Sequence, residues 1–229
     1  MAILSQIAFV LVMGFFGFLI YKRIVRIRKN IQFGRDEEIT PDPKRWKNLL
    51  LIAFGQKKMF KNVIPAFFHF LIYIGFILIN IEVLEIILDG ILGTHRLFAP
   101  FLGDFYSALI SFFEILAVLV IIACIVFLIR RNILNVKRFK KPEMKGWPAL
   151  DGNLILIIEI VLMVAILSMN SSDLVLQDRG IGHYVTTGEF LVSGMMTPLF
   201  EGLSAGNLVI VERTAWWLHI IGIFAFALY

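Results

Sequence analysis

Long apolar runs constrain this chain more than any other feature of its sequence. The run at 62–90, NVIPAFFHFLIYIGFILINIEVLEIILDG, holds about 25 mostly apolar residues, and about 20 suffice for a helix to cross a bilayer. With this run as the second, five apolar runs lie at about 2–20, 63–88, 105–129, 153–169 and 213–229. Hydrophobic residues make up 59% of the chain, against about 45–50% in a soluble domain. We therefore predict an all-α integral membrane bundle of five transmembrane helices, forming a single domain over 1–229.

The basic residues predict how the five spans are oriented. Residues 21–62 hold 12 lysines and arginines and residues 130–151 hold 7, so 19 of the 22 fall on one side of the predicted membrane. Because cytoplasmic loops carry the excess of positive charge, we expect the N-terminus outside and the C-terminus in the cytoplasm. The first run lacks a basic leader and an A-x-A site, which favours an anchor over a signal peptide. We predict a multi-pass protein of the prokaryotic inner (plasma) membrane, with no nucleic-acid partner.

The basic segment between the first two runs contains a helix-start pattern. Asp42 suits an N-cap and Pro43 suits the first helical position. The residues that follow, PKRWKNLLLIAFGQKKMF, have a basic face and an apolar face. We predict a helix that lies on the cytoplasmic surface of the membrane.

Two histidines fall inside predicted spans, His69 in the second and His219 in the fifth. One interpretation is a neutral imidazole bonded to a neighbouring helix; the other is axial ligation of b-type haem. His69 lies roughly 9 Å inside the inner membrane boundary, and His219 lies roughly 9 Å inside the outer one. In an apolar core of about 30 Å, this leaves roughly 12 Å between them along the membrane normal. Two nitrogens on one metal are only about 4 Å apart. We therefore predict that the two histidines serve different haems.

The second ligand of each haem is not evident from the sequence. At the height of His219 the second span carries no histidine. An outer haem would therefore need His95 or His183 from an outer loop, or a non-histidine ligand, or it is absent. The partner of His69 is expected beyond Tyr229.

Acidic residues also fall inside the apolar runs. They are Glu82, Glu85, Glu114 and Glu159. For the first three, one hypothesis is proton uptake or release at a quinone site, and the other is snorkelling or pairing with Arg96 or Arg213. The fourth stays unassigned.

Two stretches resemble a family of membrane cytochromes. The run AFGQKKMFKNVIPAFFHFLIYIGFILI (53–79) resembles the membrane part of heterodisulfide-reductase-like iron–sulfur oxidoreductases. The run EGLSAGNLVIVERTAWWLHIIGIFAFALY (201–229) resembles the last helix of the respiratory nitrate reductase gamma subunit, a five-helix cytochrome b. The resemblance implies that His69 is the helix-two ligand of an inner haem and His219 the helix-five ligand of an outer haem. A second helix-two histidine of the gamma subunit falls at Ile79 here.

The resemblance also implies a function. Electrons would pass through one or two haems b between a quinone (menaquinone or ubiquinone) and cytoplasmic iron–sulfur clusters. The chain would then be the electron-transfer part of an oxidoreductase and would not be catalytic alone. Because Cys124 is the one cysteine, the clusters would lie on a partner or on a downstream domain. The last run has no polar flank, so we expect an N-terminal fragment. A haem-free membrane anchor and a small transporter are the alternatives.

Overall fold

The helices of the computed structural model match the predicted fold class. The structure describes residues 3–34, 42–134, 136–182 and 184–229. The α-helices are α1 (Ile3–Gln32), α2 (Pro43–Asn48), α3 (Val63–Leu92), α4 (Ala99–Leu102), α5 (Asp104–Asn132), α6 (Trp147–Asp178), α7 (Leu191–Met196) and α8 (Ala205–Leu228). Among the described residues five of them, α1, α3, α5, α6 and α8, are long and apolar enough to cross a membrane. The prediction of an all-α bundle with five spans is confirmed.

The long helices extend beyond the apolar runs that predict them. Helix α6 covers Trp147–Asp178 where the hydropathy predicts 153–169, and α8 begins at Ala205 instead of 213. The polar residues that end the fourth run, Asn170 and Asp173 among them, are buried and hydrogen-bonded to Arg96 on the α3–α4 connection. A polar side chain with a partner inside the bundle does not end a helix, so hydropathy alone sets the boundary too early. The connection between α6 and α8 is therefore 179–204, shorter than the predicted 170–212.

The five long helices form a closed ring. Each helix packs against the next in the order α1, α3, α5, α6, α8, and α8 packs against α1. Helix α1 contributes one buried residue, Phe9, whose ring lies 5.1 Å from that of Trp216. A Cβ at Gly90 of α3 would lie 2.5 Å from the Phe9 ring, so this glycine allows α1 to dock. We call the end with the α3–α4 and α6–α7 connections the Arg96 end, and the end where α5 runs into α6 the Arg131 end.

The segment before α3 differs in part from the predicted surface helix. Asp42 is the N-cap of α2, accepting a hydrogen bond from the Lys44 N–H at 2.9 Å, and Pro43 is its first residue, as predicted. The helix does not continue through the segment: a π-helical turn covers Leu49–Phe54 and a 3-10 helix covers Lys57–Lys61. Between them Gln56 adopts a left-handed φ of 51°, which breaks the helical path.

Candidate functional site

A buried polar cluster fills the Arg96 end of the bundle, and Arg96 is at its centre. The Arg96 side chain is 6% exposed, and its guanidinium donates to Asp173 at 2.9 Å and to the Asn170 amide oxygen at 2.7 Å. Glu82 lies 3.6 Å from the same group. Burial alone would lower the pKa of Arg96, but Tyr106 and Asp173 beside it raise that pKa above its ordinary value. Arg96 therefore stays charged and compensates the carboxylates around it.

Two acids of α3 hold the α3–α4 connection in place. Asp89 accepts hydrogen bonds from the Thr94 hydroxyl at 2.5 Å and from the Arg96 N–H at 2.9 Å. Arg96 has a positive φ of 55°, a strained value for a residue with a side chain, and this contact helps to hold it there. Glu85 accepts from the Tyr106 hydroxyl at 2.6 Å and from the Phe98 N–H at 2.7 Å. Both carboxylates thus bind the loop that carries Arg96 and His95.

Glu114 of α5 holds α7 in the same way. Its carboxylate accepts the N–H groups of Val192 and Ser193 at 2.9 and 3.1 Å, at the start of that short helix. With Glu82 and Glu85, it is one of the three acids for which the sequence leaves two hypotheses. All three are 2% exposed and hydrogen-bonded, and Glu82 pairs with Arg96 as the second hypothesis expects. Buried carboxylates that are paired in this way stabilise the fold. None of these three carboxylates is open to exchange protons with a quinone, as the first hypothesis requires.

His95 has both ring nitrogens engaged in the cluster. Its Nδ1 accepts a hydrogen bond from the Val185 N–H at 3.2 Å, and its Nε2 lies 3.0 Å from the Asp173 carboxylate. An Nδ1 that accepts leaves the proton on Nε2, which then donates to Asp173. This arrangement leaves no lone pair for iron, so the structure does not favour His95 as an outer haem ligand. His183, the other loop histidine considered, lies outside the described residues.

His219 is fixed differently, in the middle of the bundle. Its side chain is 1% exposed, and its Nδ1 donates to the Leu162 carbonyl of α6 at 3.0 Å. The Nε2 atom is buried and has no hydrogen-bond partner among the described residues. Helices α6 and α8 approach closely here, and the lack of a side chain at Gly222 allows it. A Cβ at that position would lie 2.6 Å from the Leu162 side chain. The imidazole is thus oriented by a backbone carbonyl and presents a free lone pair inside the protein.

His69 opens onto an apolar groove near the Arg131 end. The groove has a volume of about 210 Å³ and is lined by His69, Ile72, Tyr73, Phe76, Cys124, Ile155, Leu156, Glu159 and Phe226. His69 is exposed on α3, whereas Cys124 is fully buried. Glu159, unassigned from the sequence, is thereby brought to the same groove as His69. Within the described residues, no group of three or more histidine, cysteine and acidic side chains is placed to hold a metal ion.

The two histidines lie at different heights. Phe226, which lines the His69 groove, comes seven residues after His219 on α8, or about 10 Å along the helix axis. The structure therefore does not bring the two imidazoles to one site, in agreement with the spacing estimated from the sequence.

A larger cavity at the Arg96 end escaped the sequence analysis. It has a volume of about 640 Å³, and its lining includes Leu174 and Gln177 of α6 and Phe190 before α7. Gln177 is 8% exposed; its amide oxygen accepts the Thr187 N–H at 2.9 Å, while its Nε2 has no partner among the described residues. Nothing local in the sequence marks Gln177, because its partner lies on the connection that folds back over α6. By contrast, Glu82, Glu85 and Asp89 share one face of α3, a pattern that could have indicated that a cation such as Arg96 is buried against that face.

Comparison with known proteins gives one informative similarity. The chain is 27% identical over 200 residues to the probable iron–sulfur-binding oxidoreductase FadF of Bacillus subtilis (strain 168). The aligned region covers 87% of this chain and 26% of FadF, so the chain spans about a quarter of that protein. No protein-family model matches the chain. No solved structure matches it either.

Proposed function

We propose that this chain is the membrane part of an electron-transferring oxidoreductase, which passes electrons between a quinone in the bilayer and iron–sulfur clusters on the cytoplasmic side. Five helices able to span a membrane and the similarity to FadF, an iron–sulfur-binding oxidoreductase by its name, support this function. The clusters would lie on a partner or another part of the protein, because one cysteine cannot ligate them. The distribution of lysine and arginine supports an inner-membrane location with the Arg131 end in the cytoplasm.

The observation that carries the proposal is the state of His219. A buried polar atom without a partner is rare in a folded protein, and its presence calls for an explanation. Here the Leu162 carbonyl holds the proton on Nδ1, so the partnerless Nε2 carries the lone pair that a metal needs. The donor chemistry therefore fits an axial ligand of haem b.

We assign His69 and His219 as the protein ligands of haem b at two heights. Bound haem supplies reversible one-electron chemistry, which a quinone pool and iron–sulfur clusters both require. The protein residues supply orientation and a dry environment. Leu162 orients His219, and the buried Trp216 and Ile220 beside it keep water away. His69 contributes its imidazole to a groove whose other walls are mostly apolar.

The quinone head group has a candidate site in the 640 Å³ cavity at the Arg96 end. Quinone carbonyls accept hydrogen bonds, and the Gln177 Nε2 is a buried donor without a partner in the described residues. Thr187 holds the other end of this amide and so fixes which atom is free to donate. Leu174 and Phe190 offer apolar surface to the ring, and the rim carboxylates of Asp178 and Glu189 could accept protons released from a quinol.

The test is an optical spectrum of the purified protein, reduced minus oxidised, after expression with ample iron. We expect b-type absorbance in the wild type. His69→Ala and His219→Ala are each expected to remove one b-type component, and added imidazole is expected to restore the His219→Ala component by filling the vacated space. A thermal unfolding curve of each variant separates loss of haem from loss of fold.

A colourless wild type, or variants with unchanged spectra, would refute the haem assignment. In that case a haem-free anchor for a soluble enzyme becomes the better description. Substrate flux in vesicles would instead favour a transporter.

A further inference from the structure

A basic groove lies at the Arg131 end of the bundle, between α1 and the last turn of α8. Leu19, Lys22, Arg23 and Arg26 of α1 line it together with Leu228 of α8, and its volume is about 280 Å³. It is separate from the His69 groove and from the Gln177 cavity, and it uses none of the residues assigned to electron transfer.

The four α1 residues of the groove form one face of that helix. They follow each other at positions i, i+3, i+4 and i+7, the spacing that places side chains on one side. Arg28 is two residues beyond Arg26 and therefore points to the opposite side of α1. The groove thus gathers three positive charges on the face of α1 that is turned toward α8.

An aromatic contact joins α1 to α8 deeper in the bundle than the groove. Phe16 of α1 and Phe224 of α8 stack with their ring centroids 5.4 Å apart. Each lies about one turn deeper in the apolar part of its helix than Leu19 or Leu228. The basic side chains of the groove lie where the apolar run of α1 gives way to charged sequence. Beyond this contact, the apolar side chains of α1 are largely exposed at the bundle surface.

We propose that this groove binds the head group of an anionic phospholipid such as phosphatidylglycerol. A basic pocket between transmembrane helices at the membrane boundary is suited to a lipid phosphate. The described residues that line the groove include three cations and no carboxylate, a charge that complements an anionic head group. Leu19 and Leu228 contact the glycerol region, and the acyl chains extend along the exposed apolar side of α1.

The experiment measures lipid binding to the purified full chain in neutral detergent by native mass spectrometry. We expect phosphatidylglycerol to bind more tightly than phosphatidylcholine with the same acyl chains. The double variant Arg23→Ala/Arg26→Ala is expected to weaken phosphatidylglycerol roughly 30-fold, the product of about fivefold for each basic side chain near an anionic lipid. Arg23→Lys/Arg26→Lys is expected to retain most of the binding, because lysine still offers a point charge to phosphate.

The matched control is Arg28→Ala/Arg45→Ala, which removes the same charge from exposed positions outside the groove. Equal binding of the two lipids would overturn the proposal, and so would a control that weakens binding as much as the groove variant does. Inorganic phosphate provides a further arm. If it raises the unfolding temperature of lipid-free protein as much as phosphatidylglycerol does, the groove is a free-anion site and the lipid proposal fails. None of these outcomes depends on haem.

Discussion

His95 and His219 belong to two regions that bury polar side chains to a similar degree and treat them differently. Around His95, at the Arg96 end, both ring nitrogens and the neighbouring carboxylates have partners. Around His219, in the middle of the bundle, one nitrogen is fixed by a backbone carbonyl and the other has no partner in the described residues. A satisfied polar network stabilises one conformation, whereas a buried group that lacks a partner calls for an explanation such as a ligand or an ordered water. The difference separates a structural histidine, His95, from a candidate ligand, His219.

The largest expected effect comes from removing the centre of the satisfied region. Arg96→Met leaves Asp173 and Glu82 without their cation inside the protein. Breaking a buried ion pair by removing one partner costs about 3–5 kcal/mol of folding stability. We expect a large fall in the unfolding temperature of the purified protein, or failure to accumulate in the membrane. Arg28→Met, at an exposed position on α1 outside the basic groove, is the control and should unfold as the wild type does.

The two histidines themselves test the comparison directly. His95→Leu takes a donor from Asp173 and an acceptor from the Val185 N–H, and each loss costs about 1–3 kcal/mol. His219→Leu loses one hydrogen bond to a carbonyl, about 0.5–1.5 kcal/mol, and removes the partnerless nitrogen. We expect His95→Leu to lower the unfolding temperature with the haem spectrum kept, and His219→Leu to lose one b-type component with a smaller fall in the unfolding temperature. Should both variants lose stability and keep their spectra, the distinction between the two regions is wrong.

Gly222 controls how closely α8 approaches α6 beside His219. A methyl group at this position would lie 2.6 Å from the Leu162 side chain, so Gly222→Ala must displace the leucine side chain. Overpacking of this kind costs about 1–3 kcal/mol and would lengthen the hydrogen bond that orients the imidazole. We expect a lower unfolding temperature and a shifted b-type absorbance maximum. Gly206→Ala, on the same helix with nothing within 4 Å of the added carbon, should change neither.

The sequence predicts the parts of this molecule that depend on local patterns. The five spanning helices follow from apolar runs, and the α2 start follows from Asp42 and Pro43, because these signals lie within a few adjacent residues. The unequal heights of His69 and His219 follow from counting residues along helices. The site geometry does not follow in the same way, because it depends on contacts between distant segments. Whether a histidine is satisfied is decided by residues 78 or 57 positions away, as Asp173 and Leu162 are here.

Polarity also misled the prediction of helix ends for a physical reason. Asn170 and Asp173 lower the hydropathy of α6, which predicts that they lie in the outer connection 170–212, yet both face Arg96 from within the helix. Partners from other segments, the buried arginine first among them, make their position favourable. The same fold-back of 184–190 over α6 creates the Gln177 cavity.

The smallest expected effect distinguishes two glutamines at the Arg96 end. Gln177→Glu keeps the oxygen that accepts from Thr187 and replaces the partnerless donor with an acceptor. If that donor binds a quinone carbonyl, the loss of one hydrogen bond should raise the half-saturating concentration of menadiol for haem reduction about tenfold, with little change in maximal rate. Gln6→Glu makes the same change where the amide donates to the Ile91 carbonyl, so it should leave that concentration unaltered. Equal responses from the two variants would remove the argument that a donor without a partner marks the quinone site, and the cavity would then lack any specific claim to the head group.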